Sequence, residues 1–361
     1  MNLHEIVDET LAQLDRRFDL AERFLEKAAS AKRYAIGRND ETLRLNQLIP
    51  LDGVIDDFAV ATSSWRGIPI VRTSDVPNDA CIANCSTSIS PVAVLKHLHA
   101  SGLTHVVGLH ELAATSRGAL PWPDFVLRQR AEMAEHLDAW INIFDSLQDS
   151  ESRQTFLDVV RFRLSCDPHY MKEYAVRIQD QYFEDFMNFG GEVFVDAGGF
   201  DGDTSEGFAA RYPDYKKIIL FEPSEKNMAA AHLRLAGHRD IEFRPFGLSD
   251  TSGTLNFDQD AGSAASVTES KGSKISVNTL DSAVVDPVTI IKMDLEGWEL
   301  KALQGSRGHI GRDRPKLAIA VYHDAQDFRL VHEFIEGFGH DYDVYLRHYT
   351  QGWSETVMFF V

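Results

Sequence analysis

Residues 193–208 read VFVDAGGFDGDTSEGF, and the fold turns on them. A short apolar run ends at Asp196 and gives way to four glycines interleaved with Asp201 and Asp203. An apolar run of this length closed by a turn predicts a buried strand. The pair Asp203-Thr204 predicts the N-terminus of the helix that follows. Strand, glycine-rich turn and helix form the opening unit of a doubly wound α/β sheet, and the glycines let a backbone approach a ligand closely. Yet the G-x-G-x-x-G spacing of a dinucleotide site is missing, and the aspartates would repel a pyrophosphate. They would attract a cation.

Downstream the alternation continues. KIILFEP (217–223), IEFRPFGLS (241–249), VTIIKMD (288–294) and KLAIAVYH (316–323) read as strands, with GTLNFD (253–258) as an added one. Helical patterns separate them: one starts at Ser224 and closes at Gly237, and two others are EGWELKALQG and DFRLVHEFIEGFG. QDAGSAASVTESKGSK (259–274) reads as a polar, mobile loop. YDVYLRHY (342–349) and SETVMFFV (354–361) stand too close for a parallel crossover, so they predict an antiparallel hairpin.

Upstream, residues 3–32 are amphipathic and helical, and the short β runs RYAIG, LIPLDGVIDDF, RGIPIV, DACIANC and THVVGL surround the helix PVAVLKHLHASG. Long helical patterns then fill 121–189. The expected division is an α/β domain at 1–118, a helical connector at 119–190 and the larger α/β domain at 191–361. The first domain has no phosphate cradle. In its AIGRND turn, Arg38 and Asn39 read first as a solvated turn and second as an anion contact. A role in substrate recognition or dimerisation, and hence a homo-oligomer, is the expectation for that domain.

The formal charge is −19 over 361 residues. Lys plus Arg number 19 before Gly190 against 28 Asp plus Glu, and 17 against 27 from there on, so both halves are acidic. With no Lys/Arg run either, nucleic acid is not an expected partner. No apolar run approaches a membrane span, and the amphipathic, acidic start is unlike a signal peptide. Cys81, Cys85 and Cys166 are too few for a disulfide framework and lack the second pair of a zinc site. These features predict a cytoplasmic protein.

Ligands of such sheets sit at the carboxyl ends of the strands. The residues there are Asp196 and Gly198, Glu222 and Pro223, Phe246 and Gly247, Asp294 and Glu296, and Tyr322 with His323. Glu222 follows Asp196 by 26 residues, the spacing of an acid that accepts from both hydroxyls of an unphosphorylated ribose. With the acidic turn, this favours S-adenosylmethionine over NAD or FAD.

FVDAGGFDGDTSEGF, ILFEPSEKN, TLD (279–281), IIKMDLEGWELKALQG and RPKLAIAVYH, in that order, resemble the FkbM-type methyltransferases. The resemblance runs from about Gln181 to Val361. It implies a class I, Rossmann-like methyltransferase sheet ending in the antiparallel hairpin, using S-adenosylmethionine to O-methylate sugars or polyketides. It places Asp196, Gly198 and Asp201 at the methionine end of the cofactor, Glu222 at the ribose, and Phe246 and Gly247 beside the adenine. Asp294 and Glu296 would lie where the methyl group is delivered. The family turn often carries an Asn where Gly199-Phe200 stand here. Residues 34–112 resemble, more loosely, a nucleotide-sugar-handling α/β domain.

The expected chemistry is methyl transfer to a hydroxyl of a sugar, nucleotide sugar or polysaccharide or natural-product precursor. Asp294, Glu296 and His323 are the candidate bases, and His323 has the most suitable ordinary pKa. Lys292 would neutralise the acids. Trp298 and Trp353 could stack on a sugar. Asp294 with Glu296 suggests a divalent cation, but no third ligand is identifiable, so no metal is assigned. The rival readings are an NAD-dependent sugar oxidoreductase or epimerase, for which no phosphate cradle is found, and a non-catalytic nucleotide-sugar-binding protein.

Overall fold

The computed structural model describes residues 3–26, 31–59, 64–257 and 273–361. The chain divides into two compact units. One holds Met1–Ile141, Gln154–Val176 and His348–Ser354; the other holds Asn142–Arg153, Arg177–Arg347 and Glu355–Val361.

The first unit begins with helices α1 (Leu3–Ala12) and α2 (Asp19–Leu25). Strands β1 (Arg33–Ile36), β2 (Gly53–Ile55), β3 (Ser64–Trp65), β4 (Ile68–Val71), β5 (Cys81–Asn84) and β6 (Val106–Gly108) follow, with helices α3 (Asp40–Leu48), α4 (Pro91–Ala100) and α5 (Leu109–Thr115). The sheet order is β3-β4-β2-β1-β5-β6, parallel except for the β3–β4 hairpin. Its strands alternate between two buried faces. Ala35, Val54, Ala83 and Val107 join Phe24 and Leu45 on one side, and Tyr34, Ile55 and Ile82 join Leu98 on the other. Covering both faces explains why these strands read as unbroken apolar runs. The AIGRND turn is structural: Arg38 pairs with Asp56 at 3.0 Å, and Asn39 caps α3 by accepting from Thr42 N and donating to Cys85 O. All three cysteines are buried thiols.

Helices α6 (Asp124–Ser146) and α7 (Ser150–Ser165) fill the region expected as a connector, and each contributes residues to both units. Val126 of α6 lies in the first unit's core, whereas Ser152 of α7 accepts from Leu346 N in the second. Each helix follows its apolar face into whichever core will bury it.

The second unit contains β7 (Val193–Ala197), α8 (Asp203–Arg211), β8 (Lys217–Phe221), α9 (Glu225–Arg234), β9 (Ile241–Arg244), β10 (Gly247–Leu248), β11 (Gly253–Phe257) and β12 (Ser273–Asn278). It continues with α10 (Leu280–Ala283), β13 (Ile290–Met293), α11 (Glu299–Gln304), α12 (Arg307–Asp313), β14 (Lys316–Ala320), α13 (Asp327–Glu336), β15 (Val344–His348) and β16 (Thr356–Phe360). The main sheet has the order β15-β16-β14-β13-β7-β8-β9. From β14 through β13, β7 and β8 to β9 the strands run parallel, and β16 joins β14 antiparallel, as the hairpin reading requires. The order reverses between β7 and β13, so the ligand crevice of this architecture opens at their carboxyl ends.

Two readings change. The third predicted strand splits at Pro245, which has no N–H to give a ladder, and β10 leaves to form a second sheet of order β10-β12-β11. The predicted loop at 259–274 ends in a strand, since β12 begins at Ser273; residues 259–272 lie outside the described residues.

Candidate active site

The glycines after β7 are fixed by packing. Gly198 has φ +76°, and a Cβ there would lie 1.9 Å from the carbonyl oxygen of Asp294; a Cβ on Gly199 would lie 2.4 Å from Leu220. Both glycine N–H groups donate to the Phe221 carbonyl at 3.0 Å. The turn is thus pressed between β8 and the end of β13, and the glycines serve that closeness first.

Of the three aspartates, Asp196 departs most from expectation. Its side chain is completely buried and accepts from Ser205 Oγ at 2.6 Å and Lys292 Nζ at 3.0 Å. Lys292 also donates to the Gly198 carbonyl at 2.8 Å. Asp196 therefore braces the turn from beneath and offers no surface to a ligand, because β7 and β13 set it directly opposite Lys292 in register. Asp201 is drawn to α9 by Arg234 at 2.6 Å, while its Oδ1 is buried without a hydrogen-bond partner. Asp203 opens α8 and accepts from Thr204 N at 2.7 Å. Two of the three charges expected to attract a cation are already neutralised.

Glu222, 5% exposed, bridges two turns, accepting from Phe200 N at 3.1 Å and Ser224 N at 2.8 Å. Burial pushes its carboxyl above the ordinary range against these hydrogen bonds. The Asn227 side chain is a further donor to this carboxylate. Pro223, Phe246 and Gly247 gather beside it: a Cβ on Gly247 would lie 3.8 Å from Pro223, and Phe246 meets Phe221 edge to face.

The strongest charge lies at the ends of β13 and β14. Asp294 accepts from Tyr182 Oη at 2.8 Å and from Tyr322 Oη at 3.3 Å. His323 Nε2 stands 3.5 Å from Asp294 and 3.3 Å from Glu296, and its Nδ1 stands 3.2 Å from Glu299. Burial pushes the His323 imidazole down, but Glu299, Glu296 and Asp294 outweigh it and hold the ring well above its ordinary pKa. This corrects the expectation of a histidine with its ordinary pKa. Glu355 is pushed to about 7 by burial and by Asp294, and Asp327 to about 7 by burial and by Glu299.

Asp294, Glu296 and His323 thus lie together, and Tyr182, Glu299, Tyr322 and Glu355 join them. Glu299 was visible in the EGWE run. Tyr182 stands in QYF (181–183), at the edge of the stretch that carries the family resemblance, whereas Glu355 had no local signal, since a turn far from β13 in sequence delivers it. Both have left-handed backbones, with φ of 75° and 65°, as do Phe200 (44°) and Glu296 (53°). Strained non-glycine residues of this kind concentrate at functional sites. Trp298 donates to Ser249 Oγ at 3.1 Å, while Trp353 belongs to the first unit and stacks near Phe125.

Residues 196–348 match the methyltransferase FkbM domain. No curated protein matches the chain. Among solved structures, the chain is similar to a methyltransferase FkbM from Methylobacillus flagellatus KT, with 22% identity, 99% of each chain covered and a TM-score of 0.75. A putative rRNA-methylase from Clostridium thermocellum matches over 48% of this chain and 89% of that one, at 14% identity and a TM-score of 0.34. Among the described residues, no helix is long and apolar enough to cross a membrane.

Proposed function

We propose, from the premise that this chain belongs to the FkbM methyltransferases through residues 196–348, that it O-methylates a sugar, nucleotide sugar or related hydroxyl compound with S-adenosylmethionine. The observation that carries this reading is the concentration of Asp294, Glu296, Glu299 and Glu355 around His323 at the switch-point crevice. Such a site suits a cationic cofactor and repels a phosphate. When bound, the cofactor supplies a methyl group already activated on a sulfonium.

What the chain's own residues add is position and charge. Glu222 accepts from the ribose hydroxyls, with Pro223, Phe246 and Gly247 bordering the base. Asp294 is held in one orientation by the hydroxyls of Tyr182 and Tyr322. Glu296 is the least committed carboxylate, touched by His323 and 27% exposed, and takes the proton from the acceptor hydroxyl.

Thermal-shift titration tests the cofactor. Stabilisation by S-adenosylhomocysteine and not by NAD is expected; no shift with S-adenosylhomocysteine would sink the reading. Incubation with labelled S-adenosylmethionine and a panel of nucleotide sugars then tests the acceptor class, and transfer only to non-sugar hydroxyls would overturn that part.

A further inference from the structure

We propose that Asp294, Glu299 and His323 form a site for one divalent transition-metal cation of the Mn²⁺ class. One donor atom from each lies within 4.8 Å of the other two. A single cation at ordinary coordination distances can touch all three.

The buried polar atoms give this cluster direction. The His323 side chain is 9% exposed, and neither ring nitrogen is in hydrogen-bond geometry with any described residue. Glu299 is 1% exposed; its Oε1 accepts from Leu295 N and Gly297 N, and its Oε2 has no hydrogen-bond partner. Buried polar atoms normally find partners. His309, more deeply buried in the same unit, shows the contrast: its Nδ1 meets Asp313 at 2.8 Å and its Nε2 meets the Val284 carbonyl at 3.0 Å. Lys292, the nearby ammonium, is committed to Asp196. Asp294 is oriented by two tyrosine hydroxyls, the kind of outer support that fixes metal-binding carboxylates.

The donors choose the metal. The imidazole favours a first-row transition ion over Ca²⁺ or Mg²⁺, which prefer all-oxygen sets, and the two carboxylates suit Mn²⁺ among the transition ions. Beside Asp294, one further ligand comes from Glu299, the first residue of α11, and the other from His323, just beyond β14; Glu296, paired with Asp294 in the sequence reading, is not one of the three. The role of the cation rests on the methyl-transfer reading. A hydroxyl oxygen bound to it becomes more acidic, its O–H bond breaks, the proton passes to the Glu296 carboxylate, and the oxygen keeps the electron pair.

Mn²⁺ titration of the full chain, followed by the electron paramagnetic resonance of free Mn²⁺, tests the site. About one tightly held ion per chain is expected. Glu299→Gln and Asp294→Asn should each bind at least about tenfold more weakly, with cooperative melting confirming that at least one of them folds. No binding at millimolar Mn²⁺, or a folded variant that binds like the parent, would overturn the proposal. S-adenosylhomocysteine melting shifts are measured alongside. A shift without Mn²⁺ binding fails the cation site alone, whereas Mn²⁺ binding without a shift fails the methyl-transfer reading alone.

Discussion

Asp196 and Lys292 face each other across β7 and β13 with side chains 0% and 4% exposed, at 3.0 Å. Desolvation opposes such a pair, and its hydrogen bonds to Ser205 and the Gly198 carbonyl offset that cost. Removing one partner strands the other's charge. Lys292→Met is therefore expected to lower the unfolding free energy by about 3–5 kcal/mol, read as a lower urea midpoint, and the double change with Asp196→Leu should recover most of it. A single variant as stable as the parent would mean the pair is not buried as described. Glu222→Ala should weaken S-adenosylhomocysteine binding by at least ~1 kcal/mol in calorimetry, because it removes an acceptor and also releases Phe200 N and Ser224 N. Unchanged affinity would reject the ribose assignment. Sequence marked both acids as strand-end residues. It did not show which way Asp196 points, because that depends on a lysine in a strand that becomes its neighbour only in the folded sheet.

Helix α12 ends at Asp313, whose side chain is 7% exposed. Burial pushes this carboxyl up, but hydrogen bonds from Arg312, His309 and Val288 N outweigh it and draw it down to about 2. A carboxyl depressed on folding adds stability above its unfolded value near about 3.9, and that stability is lost as pH falls through the folded value. Asp313→Asn should thus destabilise the protein at neutral pH by about 1.5 kcal/mol, with the gap closing between about pH 4 and 2. Urea midpoints of parent and variant at neutral and acid pH check this; a gap independent of pH would refute it. Elements of the main sheet were legible because burial on both faces makes each strand an apolar run ending at a charged or glycine residue. Strand β12 was not, although Lys274 and Ser276 are exposed while Ile275 and Val277 are buried, the alternation of a half-buried strand. The small polar residues just before it pulled the reading toward a loop.

The compact unit that carries the site gathers residues from outside 191–361, the expected domain. It includes Asn142–Arg153 and the stretch from Arg177 onward, and the reason is electrostatic as well as apolar. Arg347, 4% exposed on β15, is held by Asp149 at 2.6 Å and by Ser152 Oγ at 2.7 Å, and its guanidinium lies 5.0 Å from the Phe186 ring. Phe186 in turn stacks on Tyr345 at 4.1 Å, and Tyr182 supplies a hydroxyl to Asp294. A fragment of residues 191–361 would lose Asp149, Ser152, Tyr182 and Phe186 at once, leaving the Arg347 guanidinium without Asp149 and Asp294 without its nearest donor. Such a fragment is expected to melt without a cooperative transition and to show no shift with S-adenosylhomocysteine, whereas the full chain is expected to melt cooperatively and to shift. Tyr182→Phe in the full chain separates the two losses: it should stay folded, within about 1 kcal/mol of the parent, and bind S-adenosylhomocysteine while transferring methyl groups more slowly. Should the fragment melt cooperatively near the parent's temperature and bind as well, residues 142–190 would be dispensable to this unit, and the boundary read from composition would be the physical one.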